Sequence, residues 1–115
     1  MQANELMIGD WVQFKDDQSF LKIEGHWALS NAKDFEPIPI TAEILKKNGF
    51  IESKEVQGYF AYDMHDIGLP VLVYLMDEQD LLIRTKKYVY HGVCKYVHEL
   101  QQALRLCKID KEIQL

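Results

Sequence analysis

Apolar and polar positions alternate along the first forty residues, which is the pattern of short β-strands. The strands are expected in the segments GDWVQFK, SFLKIEG and HWALS. Alternation along a strand directs one set of side chains inward, and here that set is Val12, Phe14, Leu21, Ile23, Trp27 and Leu29. Strands this short and this close together predict a small SH3-like β-barrel lobe over residues 1–40.

The same alternation leaves two aromatic side chains, Trp11 and Phe20, on the outer face of this lobe. Exposed aromatic residues of this size need a covering surface. Two alternatives are open: the C-terminal part of the same chain covers them, or a binding partner does. Trp11 and Phe20 are therefore candidate partner-binding residues.

The segment after EPIPIT is expected to form a short connecting helix. Pro37 and Pro39 each keep the preceding residue out of helical geometry, so the chain is extended up to this point. Thr41 is a suitable N-cap for the segment AEILKKNGF, and Gly49 is a suitable end.

Three further segments, GYFAYDM, PVLVYLMD and DLLIRTKKYVY, predict strands joined by short connections and therefore an antiparallel sheet. PVLVYLMD is apolar at almost every position, so we expect it to be the central strand, buried on both faces or nearly so. After these strands, apolar residues recur at helical spacing from Val93 to Cys107. This predicts an amphipathic helix from Gly92 to about Lys108, with its apolar face on the sheet.

Together these elements predict an α+β fold. It consists of the barrel lobe, the connecting helix and a three-stranded antiparallel sheet covered by the C-terminal helix. A chain of 115 residues is long enough for a single compact domain. We expect a β lobe of residues 1–40 and an α+β lobe of residues 41–115 to share one core.

The composition is that of an ordinary globular protein, with 48% hydrophobic and 27% charged residues. The longest apolar run, Leu69 to Met76, is too short to span a membrane, and the first residues lack the features of a signal peptide. We therefore expect a cytoplasmic protein with no membrane partner. Cys94 and Cys107 are expected to be free thiols, because on one helix they are too far apart to pair.

The net charge of −5 is unevenly distributed. Residues 1–83 carry 6 basic and 15 acidic residues, whereas residues 84–115 carry 7 basic and 3 acidic residues. Such an asymmetry can steer an anionic partner to one face. The alternative is that acidic turns and basic helix ends simply fall this way.

His91, Cys94 and His98 lie within eight positions, at spacings that a metal site would use. At helical spacing they share the face opposite the apolar stripe, but His91 lies at or before the helix start. No fourth ligand follows nearby, and an outward helix face offers neither closure nor a cleft. We therefore expect no metal ion and no cofactor there.

Two acidic clusters are candidates for a divalent cation or for acid–base chemistry: Asp63, His65 and Asp66, and Asp77, Glu78 and Asp80. They flank the predicted central strand, about 20 Å apart, so one site cannot use both. Solvated turns rich in aspartate explain them better. Neither a phosphate-binding glycine loop nor a local Ser/His/Asp arrangement is present, and we expect no catalytic residues.

Nucleic-acid binding is the alternative class of function. Its affinity comes mainly from neutralised phosphates, which an acidic chain disfavours. Only a local patch could serve, formed by Arg84, Lys86, Lys87, Lys95 and Arg105. Strand alternation directs Arg84 and Lys86 to one side and Lys87 to the other, so the patch is loose.

Three segments carry a resemblance to a known family: ELMIGDWV, EPIPIT through NGF, and KYVHELQQAL. They are similar to small uncharacterised proteins of Bacteroides-type bacteria, their phages and mobile elements. The resemblance implies a bacterial or phage cytoplasm. It carries no enzymatic activity and assigns no catalytic role to His98 or to any other position.

These observations predict a non-enzymatic interaction module that binds another protein and is capable of self-association. The predicted docking strip is the solvent side of the last helix, formed by His91, Cys94, His98 and Arg105. It lies in the net basic part of the chain, and arginine is a frequent interface anchor. The alternative is a solvated helix surface with no partner.

Overall fold

A computed structural model of the chain describes residues 5–25, 30–62, 71–75, 79–84 and 89–115. Within these residues the fold is α+β, with two antiparallel sheets and two α-helices. The elements in chain order are β1 (Trp11–Phe14), β2 (Phe20–Lys22), a 3-10 turn (Ala32–Asp34), β3 (Phe35–Glu36), α1 (Ala42–Lys47), β4 (Ile51–Glu52), β5 (Tyr59–Tyr62), β6 (Val71–Tyr74), β7 (Asp80–Arg84), β8 (Val89–Val93) and α2 (Val97–Leu106).

The N-terminal sheet has the strand order β2-β1-β3. Val12 and Ile23 are buried in a small core, and Phe14 and Leu21 pack against it, as the alternation predicts. The described residues form an open sheet and no closed barrel, because three strands of two to four residues leave both edges unpaired. Residues 26–29 of the strand expected in HWALS, among them Trp27 and Leu29, lie outside the described residues.

Helix α1 follows the local chemistry of its sequence. Thr41 is the N-cap, and its hydroxyl oxygen accepts a hydrogen bond from the backbone N–H of Ile44 at 3.3 Å. The helix ends at Lys47 with Asn48 as its C-cap, and Gly49 then adopts φ +87°, a conformation that glycine takes without strain. The predicted N-cap and stop are both confirmed.

The second sheet has five described strands, in the order β4-β5-β6-β7-β8, all antiparallel. β6 is central, as predicted from PVLVYLMD. The expectation of three strands is wrong in two places. β4 adds an edge strand, and DLLIRTKKYVY contributes to both β7 and β8, because it pairs with itself and places Ile83 opposite Tyr90.

Helix α2 begins at Val97, five residues after the predicted start at Gly92. Gly92 and Val93 are held in β8 by pairing with β7. The Glu99 carboxylate accepts hydrogen bonds from the backbone N–H groups of Lys95 and Tyr96, at 3.0 and 3.1 Å, and so marks the helix start. The apolar face of α2 packs on the five-stranded sheet, as predicted.

The second face of α2 is covered by the N-terminal sheet. The side chain of Gln101 accepts from the backbone N–H of Trp11 at 2.8 Å and donates to the carbonyl of Gly9 at 2.9 Å. Ile38 and Ile40 join the core beneath the five-stranded sheet. Helix α2 therefore lies between two sheets, and the dependence of residues 1–40 on the rest of the chain stays a prediction.

Candidate interaction surface

The four residues of the predicted docking strip do not share a surface. His91 lies on β8 and is exposed, whereas Cys94 precedes α2 and is 1% exposed. His98 is buried, and Arg105 is half-buried in an ion pair. The expectation of a continuous solvent strip is wrong, because α2 starts after Cys94 and its second face is covered by the N-terminal sheet.

The positions of the cysteines and of His91 do not favour a shared metal site. Burial raises the pKa of the Cys94 thiol to about 12 and raises the pKa of Cys107 as well, so neither thiol ionises near neutral pH. His91, opposite Leu82, lies on the face of the sheet away from the core that holds Cys94. In the described part of the chain, no three His, Cys, Asp or Glu side chains are grouped as metal ligands.

Arg105 binds a buried carboxylate of the N-terminal segment. Asp10 is fully buried, and its Oδ1 accepts from Arg105 Nη1 at 2.6 Å. Its Oδ2 accepts from Gln102 Nε2 at 2.7 Å and from the backbone N–H of Met7 at 2.8 Å. Arg105 therefore holds α2 to the N-terminal lobe and is not available to a partner in the way the sequence suggested.

His98 lies at the same contact between helix and N-terminal segment. Its ring stacks on Tyr96 with centroids 6.0 Å apart, and its Nδ1 has no hydrogen-bond partner among the described residues. Burial lowers the pKa of His98, while the nearby carboxylates of Asp10, Glu99 and Glu5 act in the opposite direction. The ring is therefore favoured in its neutral form.

This burial predicts a loss of stability as the pH falls. The imidazole titrates near 6.5 in the unfolded chain and lower in the folded chain, so between these values the unfolded state binds more protons. The free energy of unfolding should therefore decrease as the pH falls below about 6.5. Urea denaturation between pH 7.5 and pH 5 measures this effect. His98→Gln should flatten the dependence and His91→Gln should preserve it, whereas equal slopes in the two variants would contradict the assignment.

The two outer aromatic residues have different surroundings. Trp11 packs against the core of the second lobe, and its indole N–H donates to the carbonyl of Ile113 at 2.8 Å. The same chain therefore covers Trp11. Phe20 is 51% exposed and lines a groove of about 390 Å³ together with Ile44 and Leu115.

The candidate basic patch and the acidic clusters are only partly described. Arg84 and Lys95 are exposed but flank opposite ends of the β7–β8 hairpin, and Arg105 is paired with Asp10. Asp80 lies on β7. The other members of these groups lie outside the described residues: Asp63, His65, Asp66, Asp77, Glu78, Lys86 and Lys87.

The surface that stands out is the outer face of the five-stranded sheet, on the side away from α2. Strand pairing places its residues in three rows across the strands. The middle row is Ile51, Ala61, Leu72, Leu82 and His91. The row on one side is Tyr59, Tyr74, Asp80 and Val93, and the row on the other side includes Arg84 and Val89. We call this set of residues the open face.

The open face is apolar along most of its rows. Ile51 is 75% exposed and Val89 is 68% exposed, while Leu72 and Leu82 are half-buried. The rings of Tyr59 and Tyr74 contact each other with centroids 5.8 Å apart. A shallow cavity of about 440 Å³ lies over this surface, lined by Tyr59, Leu72, Tyr74, Leu82 and His91 among others.

The opposite face of the same strands is buried, in contrast to the open face. Val71, Val73, Leu81 and Ile83 are fully buried beneath α2. The expectation that the central strand is buried on both faces is therefore correct for one face only. A continuous apolar run indicates a strand with two apolar faces. In the described part of the chain, no second layer lies on the open face.

Comparison with known proteins gives no relative to set beside this geometry: no family model, curated protein or solved structure matches the chain. Among the described residues, none of the helices has the length and apolar character needed to cross a bilayer.

Proposed function

We propose that this protein is a non-enzymatic interaction module that binds a protein partner on its open face. The observation that carries the proposal is a contiguous surface of leucine, isoleucine and valine side chains on a regular sheet, with two tyrosines in contact at one side. Exposed apolar surfaces of this kind mark interaction sites on soluble proteins. Tyrosine and arginine, both present here, are enriched among the residues that dominate binding energy.

The distribution of reactive groups supports a binding role over an enzymatic one. Both cysteines and His98 are buried, and the Asp10 carboxylate is fully occupied by its three donors. Ser53 and His91 both border the cavity, but Ser53 directly follows the edge strand β4 and His91 lies on the opposite edge strand, β8. Four strand spacings of about 4.8 Å place them about 19 Å apart, too far for a nucleophile and its base.

A cross-linking experiment tests the proposal. A benzophenone amino acid is placed at Leu82, at the centre of the open face, and separately at Leu106, which is 66% exposed on α2. Irradiation in Bacteroides-type cells, with and without phage infection, should give a protein adduct at position 82 and none at position 106. The adduct should disappear when Leu72→Glu is added, because the charge disrupts the apolar centre.

Two outcomes would overturn the proposal. One is the absence of any protein adduct at position 82. The other is saturable binding of single-stranded DNA or RNA that weakens as salt rises and is lost in Arg84→Glu, since the two tyrosines could then be stacking on bases. The second outcome would reassign the open face to nucleic acid.

A further inference from the structure

The charges on β7 indicate which partner the open face fits. Asp80, Leu82 and Arg84 alternate along this strand and lie on the same outer face. Asp80 and Arg84 are four residues apart, or about 14 Å at the rise of an extended strand, with Leu82 midway between them. Neither charged side chain forms an ion pair with another residue in the described part of the chain.

We propose that the partner is a second copy of this chain, packed face to face through the open face. This inference rests on the proposed function and names its partner. The two copies are related by a two-fold axis that lies in the interface, runs perpendicular to the strands and passes through Leu82.

The symmetry follows from the arrangement of charges. A two-fold axis in this direction reverses β7, so Arg84 of one copy lies over Asp80 of the other, and the converse pair forms at the opposite end. An axis parallel to the strands instead places Arg84 over Arg84 and Asp80 over Asp80. Like charges in contact across an interface are costly, and this selects the first orientation.

The apolar residues fit the same axis. The middle row of the open face lies along it, so Ile51, Ala61, Leu72 and Leu82 each pack near their own counterparts in the second copy. Two sheets packed in this way lie about 10 Å apart with interdigitated side chains. An apolar centre bordered by charged pairs is the usual organisation of a protein interface.

The acidic net charge of the chain does not oppose this association locally. Asp80 and Arg84 balance each other on the described strands of the open face, and Glu52 lies on the opposite side of the sheet, opposite Phe60. On the described strands the contact is therefore balanced in charge, and the exposed charges elsewhere on the described residues are screened by water and salt.

Charge reversal tests both the partner and the orientation. Sedimentation velocity of the full chain should show a concentration-dependent dimer. Asp80→Lys and Arg84→Glu should each raise the dissociation constant at least about tenfold, because each creates two like-charge contacts. Mixing these two variants should restore a dimer, since every charged contact in the mixed pair is then between opposite charges. The double variant Asp80→Lys/Arg84→Glu should also dimerise.

Each alternative result has a definite meaning. A wild-type chain that stays monomeric at millimolar concentration overturns self-association, and the Leu82 cross-link then decides separately whether the open face binds a different protein. A dimer that both single variants retain overturns the proposed axis and its charge pairs, and Leu82→Glu then decides whether the open face is the contact. Single variants that are monomeric and stay so when mixed overturn the proposed axis. Circular dichroism checks that the variants fold, and Leu82→Glu provides a second disruption if either single variant does not.

Discussion

Replacing Arg105 with alanine is expected to lower the free energy of unfolding by about 3 kcal/mol. The Asp10 carboxylate is fully buried, and without Arg105 it keeps only the hydrogen bonds from Gln102 and from the backbone of Met7. Removing one partner of a buried ion pair costs about 3–5 kcal/mol, and the lower value applies because the Arg105 side chain is 35% exposed. Urea denaturation at pH 7 measures the change.

Lys95→Ala is the matched control for this prediction. Lys95 is an exposed cation near the start of α2, and its loss should change stability by no more than about 0.5 kcal/mol. A double-mutant cycle with Asp10→Asn isolates the coupling between the two side chains. If Arg105→Ala unfolds at the same urea concentration as the parent chain, the ion pair with Asp10 does not stabilise the fold. Arg105 is then free to bind a partner, as the predicted docking strip requires.

The second large effect is expected at neighbouring leucines on β7. Leu81 is fully buried beneath α2, and Leu81→Ala should cost about 3 kcal/mol through lost transfer free energy and the cavity that remains. Leu82 is half-buried on the open face, and Leu82→Ala should cost about 1 kcal/mol in the monomer. Thermal and urea denaturation of both variants at low protein concentration keep association out of the measurement.

The ratio of the two losses reports which faces of the sheet are covered. Similar losses at Leu81 and Leu82 in the dilute chain would mean that a layer of the same chain lies on the open face. Denaturation of the same two variants at high protein concentration tests whether association stabilises the chain through the open face. Leu82→Ala should then lose the stabilisation that association adds, and Leu81→Ala should retain it.

Local signals in the sequence were sufficient for α1. Thr41 caps the helix and Gly49 ends it, and both roles depend on the chemistry of single residues and their immediate neighbours. The inward-facing residues of β1 and β2 could be predicted for the same reason. Alternation of side chains along one strand does not depend on which strand it pairs with. These parts of the fold are local.

The division of DLLIRTKKYVY between two strands could not be predicted from the sequence, because the segment contains no glycine, proline or asparagine to mark a turn. The start of α2 was ambiguous as well. Val93 and Val97 fit helical spacing, and Val89, His91 and Val93 fit strand spacing equally well. Pairing between β7 and β8 resolved the ambiguity. Glu99 offered a local sign of the true start, but Tyr96 is an unusual residue at an N-cap.

The contact between Asp10 and Arg105 joins positions 95 residues apart, and nothing local indicates it. Because Asp10 follows a glycine, the local sequence predicts that it lies in a solvent-exposed turn. The open face had a better signal in the continuous apolar run of PVLVYLMD, which indicated two apolar faces. The sequence could not show that, among the residues the structure describes, only one of these faces is covered.

The position of α2 between two sheets has a consequence for synthesis of the chain. Residues 97–113 complete the cover of Trp11 and of the sheet core, yet they are made after every strand that they cover. During translation both sheets are therefore expected to expose apolar surface until α2 has emerged from the ribosome. Such exposure favours chaperone binding and aggregation. A ribosome stalled before residue 97 would hold a nascent chain that is compact at most locally and sensitive to protease.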